Sequence, residues 1–246
     1  MKLLAFDTST DRLSLAVQHG DALWEQEGPG GAQASATLIP ALRALLEQAG
    51  LSFSTLDAIV FGRGPGSFTG LRTACAVAQG LAFGARGGAG IPVLPVDTLL
   101  AVAEDARRRQ GCTQVVAVLD ARMNEVYAAH CQWQAPTGTT PGHWRTDADF
   151  GLYAPESVQV PEGWTLAGNA QAAYGERLAP AARHLPALPT ASALLRLAPA
   201  LLAAGAGLPA SAALPRYIRD KVAQTTAERL ALREAAAAAA ASTPAP

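Results

Sequence analysis

The spacing of apolar residues changes period several times along this chain, and each change marks an element. Leu3 to Phe6 form an unbroken apolar run, as in a buried strand, and Asp7-Thr8-Ser9-Thr10-Asp11 closes it with turn formers. Leu13, Leu15 and Val17 then alternate with Ser14, Ala16 and Gln18, the period of a second strand. After Gly20-Asp21, Ala22 to Glu27 can supply a third strand of an antiparallel meander. Gly28-Pro29-Gly30-Gly31 breaks the meander. Ala32 to Ala49 reads as a helix with Leu38, Ile39, Leu42, Leu45, Leu46 and Ala49 on one stripe, and Pro40 is expected to kink it or open a new first turn. Ala58 to Phe61 is the next strand, Phe68 to Gly84 a second helix and Pro92 to Val96 another strand.

A second cycle begins near Asp97. Asp97 to Arg109 reads as a helix capped at Asp97 or Thr98, with Arg107-Arg108-Arg109 as a solvated end suited to its negative pole. Val115 to Leu119 is a buried strand, Asp120 to Glu125 a turn and Val126 to Trp133 a further strand. Ala135 to Asp149 is a loop or edge hairpin, and Ser157 to Leu166 is strand material. Ala167 to Ala170 is a turn opening a short helix toward Leu178. Thr190 to Ala204 is helical despite Pro199, and Pro215 to Arg219 is extended. From Ala227 the sequence favours helix, with seven consecutive alanines from Ala235, but alanine offers no stripe wide enough to dock. The division expected is a lobe over 1–100, a second lobe over 101–223 and a frayed tail over 224–246.

The most informative stretch runs from Asp57 to Gly84. Its strand ends in Gly62-Arg63-Gly64-Pro65-Gly66, and Ser67 or Thr69 can cap the helix that follows. Phe68, Leu71, Cys75, Ala78 and Ala82 form one apolar stripe, and Gly70, Ala74, Val77 and Leu81 a second. Only Thr69, Arg72, Thr73 and Gln79 are polar, so this helix should be covered on more than one side. The glycine loop admits three readings: a phosphate cradle, a tight strand-to-helix turn, or the lead into a helix on which a partner docks. As a cradle it lacks the lysine of a P-loop, and the dinucleotide pattern breaks at Ser67. The tight turn accounts for the glycines without a ligand and is compatible with a docked partner.

Composition narrows the function classes. The chain has 246 residues, 50% of them hydrophobic, enough for one large or two smaller cores. A formal net charge of −1 gives no electrostatic footprint for independent binding to nucleic acid. Cys75, Cys112 and Cys131 have no paired spacing and read as small buried residues of a reduced compartment. Neither a signal peptide nor a membrane span is evident, so a cytoplasmic location is expected.

The runs FDTSTDRLSLAV, GRGPGSFTGLR with AQGLAFG after it, LDARMNEVYAA and the late RYIRDKVA together resemble the bacterial TsaB (YeaZ) proteins. The likeness covers most of residues 1–223. It implies an α/β fold of the duplicated actin, Hsp70 and sugar-kinase type, related to ribonuclease H, with no catalytic activity or cofactor of its own. It also implies pairing with the related catalytic subunit TsaD. With the ATPase TsaE, that pair installs threonylcarbamoyl on a tRNA adenosine, from an adenylate made by TsaC-type enzymes. In the family the pairing uses a bundle of the first two helices, here Ala32 to Ala49 and Ser67 to Gly84. The candidate contact residues are therefore Leu38, Leu42, Leu45, Gly70, Ala74, Val77, Leu81 and Gly84. A homodimer through the same helices is a further expectation, and tRNA contact would come indirectly.

Whether this chain could instead be an actin-fold ATPase or small-molecule kinase turns on Asp7 and Asp120, with Ser9, Gly64, Gly66 and Gly168 as the remainder of a vestigial nucleotide or anion site. Thr8-Ser9-Thr10 carries side chains where related ATPases usually place a glycine, and Asp120-Ala121-Arg122 has no glycine. Asp7 is expected to hold an Asx turn, with Ser14 and Thr10 serving local turns in the same way. The catalytic relatives carry an H-x-x-x-H metal pair on the first helix. Gln33 to Leu38 here contains no histidine, so no metal is expected.

Overall fold

The structure, a computed structural model, describes residues 1–146 and 150–219. Met1–Arg216 is one compact unit and Tyr217 begins another. The helix-forming stretch from Ala227 lies outside the described residues.

Three strands open the chain: β1 (Lys2–Asp7), β2 (Arg12–His19) and β3 (Ala22–Pro29). Helix α1 (Ala34–Gln48), β4 (Ala58–Gly64), α2 (Phe68–Gly84) and β5 (Val93–Asp97) follow. Then come α3 (Thr98–Gln110), β6 (Gln114–Asp120), β7 (Val126–Gln134), β8 (His143–Thr146) and β9 (Gly151–Tyr153). The last elements are β10 (Thr165–Gly168), α4 (Gln171–Tyr174), β11 (Arg183–Pro186) and α5 (Ala191–Ala203).

These strands make two sheets on one plan. The first has the order β3-β2-β1-β4-β5, the second β8-β7-β6-β10-β11 with β9 also on β7. In each, a central strand pairs antiparallel with the strand after its acidic turn and parallel with a later one: β1 with β2 and β4, β6 with β7 and β10. The chain is thus a duplicated, two-lobed α/β fold of the actin and ribonuclease H type. The unbroken apolar runs of β1, β4 and β6 follow from burial on both faces.

Helices α1 and α2 lie on the first sheet, and their Leu38, Leu42, Ala74, Ala78 and Ala82 join Phe6, Leu15 and Phe61 in one core. Helix α5, although it comes after the second sheet in sequence, packs against β1, β2, β4 and β5 of the first. Glu104 on α3 is buried and accepts from Arg107 at 2.9 Å, Arg196 at 3.1 Å and the Trp144 indole at 3.1 Å, so one carboxylate ties α3, α5 and β8. A carboxylate at that depth is tolerable because it is fully paired.

Several local expectations change. Helix α1 runs through Pro40, whose missing donor leaves the exposed Ala36 carbonyl to water. Asp97 makes no cap bond to α3. Its carboxylate is taken by Arg63 at 2.6 Å and Arg216 at 3.0 Å, while Thr98 Oγ1 accepts from Gly64 N. The arginine end of α3 is only partly solvated: Arg107 lies over the Trp133 ring at 3.9 Å, and Arg109 donates to Asp105 and to Pro186 O. Ala167 and Gly168 belong to β10 rather than to a turn, and α4 has four residues. The short strands β8 and β11 have too few residues to show a period.

Candidate functional site

Two places gather the candidate residues: the acidic turns with their glycine loops, and the outer face of α1 and α2. At the first turn, Asp7 Oδ1 accepts from Ser9 N at 2.8 Å and from Ser9 Oγ at 2.6 Å, an Asx turn as the residue order predicts. Thr10 Oγ1 likewise accepts locally from Arg12 N. Ser14 differs: its hydroxyl accepts from Ala191 N, fixing the start of α5 to β2. Asp7 Oδ2 is buried without a hydrogen-bond partner, against the Cα of Gly62. Burial pushes the Asp7 carboxyl up to about 6, against the opposing pull of the Ser9 hydrogen bonds.

The glycine loop is packed directly on this turn. Ser67 N donates to Ser9 O at 2.7 Å, and Thr8 Oγ1 to Gly70 O at 2.7 Å. A Cβ at Gly66 would lie 2.6 Å from Ser9, and one at Gly70 would lie 1.8 Å from Thr8 O. Gly64, at φ +117°, passes equally close to Arg216 O. Ser67 caps α2 by accepting from Gly70 N. The glycines therefore serve close approach of β4 and α2 to the Asp7 turn, and the structure brings Asp7, Ser9, Gly64, Gly66 and Gly70 together as one joint.

Asp120 and Gly168 meet in the second lobe. Asp120 Oδ1 accepts from Tyr174 Oη and from Arg122 N, both at 2.8 Å, and Asp120 N donates to Asn169 Oδ1 at 2.9 Å. Burial first and the Asp120 bond second push the Tyr174 hydroxyl up to about 12. Arg122, Met123 and Asn124 all hold positive φ, so this turn closes in a left-handed run without any glycine. Gly168, at φ +153°, lies against Val118 O. Beside it a cavity of about 720 Å³ is lined by Glu25, Glu27, Asp105, Arg109 and Thr190 among others. Three carboxylates face one guanidinium that is already engaged with Asp105 and Pro186, a lining that opposes a polyphosphate. Among the described residues, no group of three His, Cys, Asp or Glu is placed to hold a metal ion.

The expected contact set on α1 and α2 needs correction. Leu38 and Leu42 are 0% exposed, Leu45 2% and Ala74 0%, and Gly70 is buried, so these residues face the chain's own core. Val77 and Leu81 are half-buried against that same core, which contains Leu38 and Leu42. Periodicity identified two apolar stripes on α2 but could not show that α1 and the sheet cover both. Of the set, Gly84 is exposed.

The surface actually presented is a third stripe: Thr69, Arg72, Ala76, Gly80, Phe83 and Gly84 are exposed, with Phe83 at 72%. Phe68, 38% exposed, carries the Arg72 guanidinium 3.8 Å from its ring centre. A Cβ at Gly80 or Gly84 would meet nothing within 4 Å. On α1, Ile39 is 42% exposed, and Ala36, Pro40 and Arg43 are exposed with it. The four-residue spacing of Ala76, Gly80 and Gly84 was the sequence signal for this stripe.

Comparison with known proteins agrees with this architecture. A family model described as "TsaD: tRNA N6-adenosine threonylcarbamoyltransferase" matches residues 31–141. The tRNA threonylcarbamoyladenosine biosynthesis protein TsaB of Escherichia coli K12 is 32% identical over 232 residues, which span 91% of this chain and 96% of that one. TsaB of Haemophilus influenzae is 41% identical over 127 residues, 52% of each chain. The solved structure of YeaZ from Pseudomonas aeruginosa superposes with a TM-score of 0.78 at 40% identity, covering 88% of this chain and 99% of that one. With the duplicated sheets and the glycine-bedded helix in place, these relationships establish that the chain belongs to the TsaB (YeaZ) family of tRNA threonylcarbamoyladenosine biosynthesis proteins.

Proposed function

We propose that this chain is a non-catalytic subunit of the tRNA threonylcarbamoyladenosine machinery, docking through the outer face of α1 and α2 on a TsaD-type threonylcarbamoyltransferase and holding it in a working arrangement. The observation that carries this reading is the stripe on α2, where two phenylalanines flank small residues that leave the helix backbone open to close approach. A Phe exposed to 72% beside small, exposed residues is the kind of anchor that a partner's pocket buries. The match of residues 31–141 to the TsaD model supports a partner that carries a related helix pair, so that like faces meet. A joint of standard size would bury about 1,600 Å² in total.

The lack of catalysis is supported by the closed state of both acidic turns. Asp7 is covered by the glycine loop, and Asp120 is occupied by Tyr174 and Arg122. On this reading TsaE and tRNA reach the subunit through the assembled complex, in the cytoplasm, and a homodimer through the same face forms when TsaD is absent.

Gly80→Leu and Phe83→Ser test docking without touching the core. Gly80→Leu should melt at or slightly above the wild-type temperature and Phe83→Ser close to it, and both should lose co-elution with a TsaD subunit on size-exclusion chromatography. Ala74→Arg is not a docking test, because it places a charge in the core. Undiminished co-elution of both surface variants would reject the docking face. Calorimetric titration of the isolated chain with ATP and magnesium should show no tight binding; submicromolar affinity would favour an ATPase instead.

A further inference from the structure

The docking stripe on α2 is bounded on one flank by the α1 core, into which Val77 and Leu81 turn. On the other flank lies the last segment of the compact unit, Leu208 to Arg216, which runs against the side of α2 as a strap. It is pinned at both ends and in the middle. Leu208 exchanges backbone hydrogen bonds with Val93 at 2.8 and 2.9 Å. Gln79 Nε2 on α2 donates to Ala213 O at 2.8 Å. Arg216 N donates to Arg63 O at 2.7 Å, its guanidinium reaches Asp97 at 3.0 Å, and it lies over the Phe150 ring at 4.3 Å.

Between these pins the side chains alternate in fate. Ala213 is 0% exposed, whereas Leu214, the next residue, is 65% exposed. Pro215 follows and restricts Leu214 to extended backbone. At about 100° per residue around α2, Gln79 sits between Arg72 and Cys75, on the side of the stripe away from Val77 and Leu81. Leu214 therefore stands at the margin of the open stripe, on backbone that is already fixed.

We propose that this strap is the second wall of the docking face and that Leu214 is an anchor for the TsaD-type subunit, a reading that rests on the function proposed above. Binding would cost little ordering here, since the strap is held before the partner arrives. Exposed apolar side chains on rigid backbone are the residues that most repay burial at an interface. The occupant is a TsaD-type subunit, because the α1 and α2 walls of the same groove lie inside the segment shared with the TsaD model.

The experiment compares Leu214→Asp, Leu214→Ser and Phe83→Ser for affinity to a purified TsaD subunit by calorimetry, with sedimentation of each variant alone. Both Leu214 variants should keep the wild-type melting temperature and weaken TsaD binding by roughly tenfold or more, as loss of one buried leucine implies. Wild-type affinity in both Leu214 variants together with a loss in Phe83→Ser would overturn the strap proposal and leave the docking face standing. Wild-type affinity in all three would reject the docking face itself. Weakened self-association with unchanged TsaD affinity would assign Leu214 to a second copy of this chain and overturn the proposal.

Discussion

Asp7 and Asp120 end the corresponding strands of two sheets built on one plan, and each opens a turn into an antiparallel neighbour. Their surroundings diverge at the next parallel strand. After β4 comes the 17-residue α2, whose first turn sits on Thr8 and Ser9 through Gly66 and Gly70. After β10 comes the four-residue α4, whose Tyr174 reaches over to Asp120. The first turn has become a buried joint that seats a long helix, at the expense of a carboxylate oxygen left without a partner. The second is a surface turn whose carboxylate is fully engaged. Equal topology thus carries unequal loads, and the load follows the length of the helix leaving the sheet.

The sharpest way to break this contrast is to pry the joint apart. In Gly70→Ala the new methyl would lie 1.8 Å from Thr8 O, a backbone atom that cannot step aside. The expected cost is about 3 kcal/mol or more, read by urea unfolding. Gly80→Ala is its control on the same helix: with open space around the new methyl it should gain up to about 1 kcal/mol from helix propensity. Wild-type stability in Gly70→Ala would show that helix and turn are not tightly bound to each other.

The orphaned oxygen makes a second prediction. The folded state raises the Asp7 carboxyl from its ordinary 3.8 to about 6, so the folded chain binds this proton more tightly than the unfolded chain. Stability linked to it is fully present below 3.8 and is lost as pH rises through about 6. The full loss at neutral pH is about 3 kcal/mol. Asp7→Asn should flatten the stability profile between pH 4 and pH 7, measured by denaturant unfolding at each pH, and should gain most over wild type at the upper end. A slope unchanged by the substitution would mean that Asp7 remains an ordinary ionised carboxylate.

How far the sequence could be read follows the same contrast. Long elements with a clear period, β1, β2, α2 and α3, were legible because burial on one or two faces writes itself into residue type. The Asx turn at Asp7 and the structural duty of Gly66 were legible from turn chemistry. Which stripe of α2 stays in water was not: Leu71, Ala74 and Val77 are all apolar, and the placement of α1, the sheet and the 208–216 segment around the helix decides that Ala76, Gly80 and Phe83 face outward. Long-range partners were equally hidden. Asp97 looks like a helix cap until Arg63 and Arg216 claim it, and Ser14 looks like a turn residue until Ala191 meets it. Gly168 drew notice as a remnant of a nucleotide loop, yet its immediate duty is to clear Val118 O.

The second turn should bear less. Tyr174→Phe removes the hydroxyl that lies 2.8 Å from Asp120 and 3.0 Å from Glu125 O, and keeps the ring packed against the apolar cluster of the second sheet. Water can take over at a half-buried carboxylate, so the expected loss is about 1 kcal/mol, several-fold below Gly70→Ala. The variant should also bind a TsaD subunit as wild type does, because no part of the α1 and α2 face depends on this turn. Urea unfolding and calorimetry on the same preparations decide the matter. If Tyr174→Phe costs as much stability as Gly70→Ala, the two lobes share the load equally, and the length of the departing helix is not what set them apart.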